Sequence, residues 1–175
     1  EEMVFELSDS NYSSSVVEQL ITACEQYDGV YIDSKILSHC SSEQRNRLLK
    51  TAVKGERWGE VESLLSDSNY SSSVVEQFIT ACEQYGRVYF DREILSHCDS
   101  EQLNRLLEIA VKNEKFLTVD SLLRHSNYSS SVVEQFITAC VKYNRVYVDS
   151  EILSHCSSEQ RNRLLETAVK GERWW

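Results

Sequence analysis

The sequence predicts an all-α protein, an α-solenoid of stacked helix–turn–helix units. Three observations predict it. The phrase SNYSSSVVEQFITAC stands at Ser68–Cys82 and at Ser126–Cys140, and with Leu20 in place of Phe at Ser10–Cys24. The copies lie 58 residues apart, and a fixed spacing of this kind marks an array of like units. Within each copy apolar residues return at i, i+3, i+4 and i+7, the pattern of one helix face, and the chain contains no proline to interrupt it.

The 58-residue period is itself double. A shift of 29 places Leu20 on Leu49, Thr22-Ala23 on Thr51-Ala52, Ile32 on Val61 and Ile36 on Leu65. The structural unit is therefore about 29 residues, and two versions of it alternate. The copies span residues 8–65, 66–123 and 124–175, with 1–7 read as the end of a preceding unit, so that all 175 residues form one array.

Each unit reads as a long helix, a tight turn and a shorter helix. Ser15-Val16-Val17-Glu18 has the S-x-x-E form of a capping box, and Ser41 with Gln44 has the S-x-x-Q form. After the first, Val17, Leu20, Ile21 and Cys24 form an apolar stripe; after the second, Leu48, Leu49, Ala52 and Val53 do. Breaks follow at Asp28-Gly29 and Lys54-Gly55, where glycine eases a change of direction. Short helices then carry Ile32, Ile36 and Leu37, or Trp58, Val61, Leu64 and Leu65. The VYID segment has strand-forming residues, but a strand there would stand alone among helices, so helix is the reading. Two helices this short bury too little apolar surface to offset their chain entropy alone, whereas stacked on a near-copy they can.

Charge narrows the partners. The chain carries a net −10, which argues against nucleic acid and anionic membrane, since both attract clustered Lys and Arg. No apolar run approaches the roughly 18–20 residues that cross a bilayer. The first residues, EEMVFEL, have no basic start or apolar core of a signal peptide. The expected location is cytoplasmic, in the cell of origin or after delivery into a host cell. Residues 66–123 hold ten acidic against five basic side chains and 124–175 six against seven, an asymmetry that favours copies meeting head to tail. The six cysteines fall as one pair per copy, Cys24/Cys40, Cys82/Cys98 and Cys140/Cys156, and read as buried free thiols rather than a disulfide framework.

The spacing Leu49-x-x-Ala52-Val53, then Val61 and Leu64-Leu65, repeated at Leu107, Ala110-Val111, Val119 and Leu122-Leu123, resembles the helix pair of ankyrin repeats. The likeness is divergent: the T-P-L-H opening and the β-hairpin segment are missing, and the unit has 29 residues against about 33. The resemblance implies a protein-binding scaffold with a concave face and no chemistry of its own.

Residue clusters that could carry chemistry have structural readings beside them. In Ser38-His39-Cys40 and its copies at His97 and His155, adjacent helical residues point about 100° apart, so the imidazole is poorly placed to activate the thiol. The alternatives are a histidine at a helix C-terminus beside a packing cysteine, or a metal site formed with Cys24; no close C-x2-C pair marks the latter. Asn11, Asn69 and Asn127 fit the N-glycosylation sequon and equally a loop entering a helix cap. Tyr12, Tyr70 and Tyr128 suit an aromatic ladder on the loop or a partner contact.

In an array, packing asks for the same residue each time, while a ligand touches each unit differently. The copies disagree at Gly29, Lys35, Trp58, Arg87, Arg92, Phe116, Arg145 and Glu151 or at their equivalents, and these are the candidate partner-binding residues; neutral drift at exposed sites is the competing explanation. No catalytic, cofactor or metal residue is assigned. The expected function is non-enzymatic binding of another protein. Head-to-tail self-association comes second, and a Cys/His metal-binding repeat third.

Overall fold

The computed structural model describes residues 12–27, 34–90 and 92–171. Among them the protein is all-helical, with eleven helices and no strand. They are α1 (Ser14–Gln26), α2 (Ser34–Ser38), α3 (Ser42–Lys54), α4 (Trp58–Asp67), α5 (Ser72–Tyr85), α6 (Arg92–Ser96), α7 (Ser100–Lys112), α8 (Phe116–His125), α9 (Ser130–Tyr143), α10 (Ser150–Ser154) and α11 (Ser158–Lys170). Helix starts recur every 58 residues, as at Ser14, Ser72 and Ser130, or Ser42, Ser100 and Ser158. The stripes expected on α1 and α3 are their buried residues.

Contacts divide the chain into two compact units, Glu1–Arg87 and Val88–Trp175. In the first, α3 packs against both α1 and α5, α4 packs on α3, and α2 packs on α4. In the second, α9 packs against both α7 and α11, α8 packs on α7, and α6 packs on α8. Long helices thus lean on long helices and short ones on short ones in each unit.

A single slot shows what the packing demands. Leu20, Leu49, Phe78, Leu107, Phe136 and Leu165 stand 29 residues apart on the six long helices. The first five are at most 9% exposed, whereas Leu165 is 61% exposed. Ala52, Ala81 and Ala110, three residues further along, are fully buried. A methyl group there lets neighbouring helices approach closely and keeps helix propensity high.

The ends of the helices depart from expectation in three places. Ser15 does not cap α1. The helix begins at Ser14, Ser13 is its N-cap without a side-chain cap bond, and the Ser13 and Ser15 hydroxyls bond each other at 3.0 Å. With the start two residues earlier, Glu18 lies too far along the helix to reach the cap backbone. The boxes at Ser41/Gln44, Asp99/Gln102 and Ser157/Gln160 do form, each satisfying two backbone N–H donors at the helix start.

Gly55 is not where the chain needs glycine. Its φ is −84°, and Asn113 replaces it 58 residues on; the left-handed residues are the following Glu56 and Glu114, at φ 55° and 56°. The turns are Schellman motifs: Arg57 N–H donates to Ala52 O at 2.9 Å and Glu56 N–H to Val53 O at 3.2 Å, with the same pair at Lys115 and Glu114. Asn69 and Asn127 occupy the equivalent left-handed position after α4 and α8, which is a structural reason for asparagine there. Gly29 and the other residues of the first break lie outside the described residues.

The VYID segment at 30–33 lies outside the described residues; its counterparts in the later copies are neither helix nor strand. Val88–Phe90 runs without helical hydrogen bonding, with Val88 and Phe90 buried and Tyr89 exposed between them, whereas Val146 is buried and Val148 exposed. Among the described residues no second strand supplies a ladder, so the segment is an extended connector. The short helices begin after it, at Arg92 and Ser150, and are shorter than the sequence suggests.

Candidate functional site

The cysteines and histidines are built into the packing. All six thiols are free, and five are buried. Cys40, Cys98 and Cys156 donate Sγ–H to the carbonyls of Ile36, Ile94 and Ile152, four residues back. Burial pushes the Cys24 and Cys98 thiols up to about 11 and Cys140 up to about 12, so the thiols stay protonated and poorly nucleophilic at neutral pH. His39 stacks on Tyr12 with ring centroids 4.8 Å apart, and His155 on Tyr128 at 4.2 Å. Tyr12 and Tyr128 of the recurring SNY turn thus clamp the end of a short helix. Among the described residues no three His, Cys, Asp or Glu side chains gather as a metal-ligand set.

Recurring polar contacts tie the long helices together. Gln44 accepts from the Ser41 backbone N–H through Oε1 and donates through Nε2 to Glu18 at 2.9 Å, while Arg47 pairs with Glu18 and Glu25. Gln160 and Arg163 treat Glu134 in the same way. The arginine bond, then the glutamine bond, holds both the Glu18 and Glu134 carboxyls below their usual range. One residue therefore completes a helix cap and docks the next helix.

The candidate partner-binding residues separate into groups. Arg87 pairs with Glu56 at 2.7 Å, and Arg145 pairs with Glu114 at 2.8 Å. Glu151 takes a two-pronged ion pair from Arg124, whose Nη1 lies 3.0 Å from Oε1. Phe116 stacks on Tyr147 at 4.8 Å. Trp58 opens α4 half-buried, and Lys35 is exposed on α2. Arg92 is exposed on α6 and lines a cleft with Arg124 and His125. Gly29 lies outside the described residues.

The geometry brings Arg145 to Glu114 and Glu151 to Arg124 within the second unit. It shows that several varying positions are latched to a glutamate of a neighbouring turn rather than left open. Sequence reading missed Glu56 and Glu114, the acceptors, and Arg124 and His125 in the cleft. A signal existed: Ser66-Asp67 of the second copy becomes Arg124-His125 in the third, beside the change of Ser34 in the first copy to Arg92 in the second.

Comparison adds no relative. No family model, no curated protein and no solved structure matches the chain. Whatever the chain does must be argued from its own residues. No helix among the described residues is long and apolar enough to cross a membrane.

Proposed function

We propose that the chain is a non-enzymatic α-helical repeat scaffold, an ankyrin-like solenoid, that binds another protein through the positions at which its copies differ. The observation that carries this reading is the division of labour between positions. Apolar residues of the long helices that are identical from copy to copy, such as Cys82/Cys140, Ile79/Ile137 and Ala81/Ala139, are buried at 5% exposure or less. Residues that change, such as Arg87, Arg92 and Lys35, are exposed. The succession of long-helix contacts within each unit supports the solenoid reading, because each long helix there packs against the next. Protonated, packed thiols and stacked imidazoles support a role outside catalysis.

The test is affinity capture from cell lysate with the intact chain and with a variant carrying Arg87→Ala, Arg92→Ala, Arg145→Ala and Glu151→Ala, both checked for equal helicity. The reading expects a protein retained by the first and lost from the second. Capture of the same proteins by both would contradict it.

A second reading, association between copies, is favoured by one observation. Leu165 and Val169 on α11 are 61% and 45% exposed, while their equivalents Leu49 and Val53 on α3 are covered. Sedimentation over a hundredfold range of concentration checks it; a constant monomer mass removes it.

A further inference from the structure

A cleft of about 640 Å³ lies between α6 and α8 in the unit Val88–Trp175. Its floor is apolar, made by Phe90 and Leu95, which are 8% and 3% exposed. Its rim carries the side chains of Arg92, Arg124 and His125. Fifty-eight residues earlier the equivalent positions hold Ser34, Ser66 and Asp67, while Leu37, Ser38 and Ser63 match Leu95, Ser96 and Ser121. The framework is kept, and three replacements 32 and 33 residues apart in sequence converge on one cleft. They move the formal charge of these positions from −1 to +2.

The rim is rich in hydrogen-bond donors. Arg124 gives three of its N–H groups to Asp120 and Glu151, which fixes its plane and leaves two. Arg92 makes no ion pair among the described residues, although Glu93 follows it in sequence. The Ser96 and Ser121 hydroxyls donate to Glu93 O and Leu117 O of their own helices. A guanidinium with no counter-charge among the described residues, beside a second one held in place and above an apolar floor, matches a carboxylate with an apolar neighbour.

We propose that this cleft binds an acidic peptide segment of a partner protein. Arg92 takes a glutamate or aspartate carboxylate as a bidentate pair, His125 and the remaining Arg124 N–H groups supply further donors, and an apolar side chain of the segment seats on Phe90 and Leu95. The proposal rests on the scaffold reading and adds to it a place and a partner chemistry. A nucleic acid fits less well: two arginines on a chain of net −10 give a weak electrostatic footprint, and the floor suits a side chain rather than a phosphate backbone.

The experiment is fluorescence anisotropy with a labelled decapeptide of alternating glutamate and leucine, its glutamine counterpart, and a labelled single-stranded RNA decamer. Each is titrated with the intact chain and with Arg92→Ser/His125→Asp, which installs at exposed positions the residues found 58 places earlier. The expected result is binding of the acidic peptide, at least tenfold weaker binding of the glutamine peptide, and at least tenfold loss in the variant at unchanged thermal melting. No binding of the acidic peptide, equal binding by the variant, or preference for the RNA overturns the proposal. Capture from lysate does not depend on the partner's chemistry, so a chain that retains a protein there but fails here loses this cleft and keeps the scaffold reading.

Discussion

Arg87 closes an ion pair at 2.7 Å onto Glu56, a residue whose own backbone is left-handed at φ 55°. Fifty-eight residues on, Arg145 does the same to Glu114 at φ 56°. Glycine is the usual occupant of such a helix end, because other residues meet a steric penalty of about 1 kcal/mol there. The pair between half-exposed side chains returns at most about 1 kcal/mol. Glu56→Ala, which keeps the strain and removes the pair, is therefore expected to lower stability, and Glu56→Gly to exceed it by about 1 kcal/mol. Urea unfolding of the two variants checks this; equal midpoints would show that the turn carries no strain.

The thiols set the alkaline limit. In the unfolded chain a cysteine loses its proton near 9.0, whereas burial holds Cys24 and Cys98 near 11 and Cys140 near 12. The folded form keeps the proton longer, so the stability tied to it is fully present below pH 9 and is lost as pH rises toward 11–12. Unfolding midpoints should fall between pH 9 and 11, less steeply in Cys140→Ala. A midpoint constant across that range would contradict the burial.

The acid side has the opposite sign. Hydrogen bonds from Arg163 and Gln160 hold Glu134 below 4.5, and Arg47 and Gln44 do so for Glu18. Their contribution is present above pH 4.5 and is lost as pH falls below it. Glu60, raised by burial, works against them. Stability should decline on acidification, and Glu134→Gln should make the decline shallower; an unchanged slope would mean that the contact to α11 is not held in solution.

Most of the helical pattern was legible in the sequence because packing repeats itself. The i, i+3, i+4, i+7 stripe at Val17, Leu20, Ile21 and Cys24 is the buried face of α1, and the caps at Ser41 and Ser157 are where S-x-x-Q places them. Less legible were features decided by geometry between segments. Ser13-Ser14-Ser15 offers three cap residues of one kind, so the start of α1 could not be read from composition. Val88-Tyr89-Phe90 has the alternation of a strand, and only the lack of a pairing partner makes it a connector. At the candidate site, variation marked Arg92, which is exposed, and Arg145, which is half-buried. It did not show that Arg145 is tethered to Glu114, because the two are far apart in sequence and meet only when the turns stack.

The account holds that a recurring residue stabilises the chain through the helix that covers it, not through its own local sequence. The segment Ser41–Leu49 is identical to Ser157–Leu165, yet Leu49 is 1% exposed and Leu165 61%. The deciding measurement is urea unfolding of Leu49→Ala and Leu165→Ala side by side. The prediction is a loss of about 2–5 kcal/mol for the first and a change within about 0.5 kcal/mol for the second. Equal losses at the two positions would contradict it.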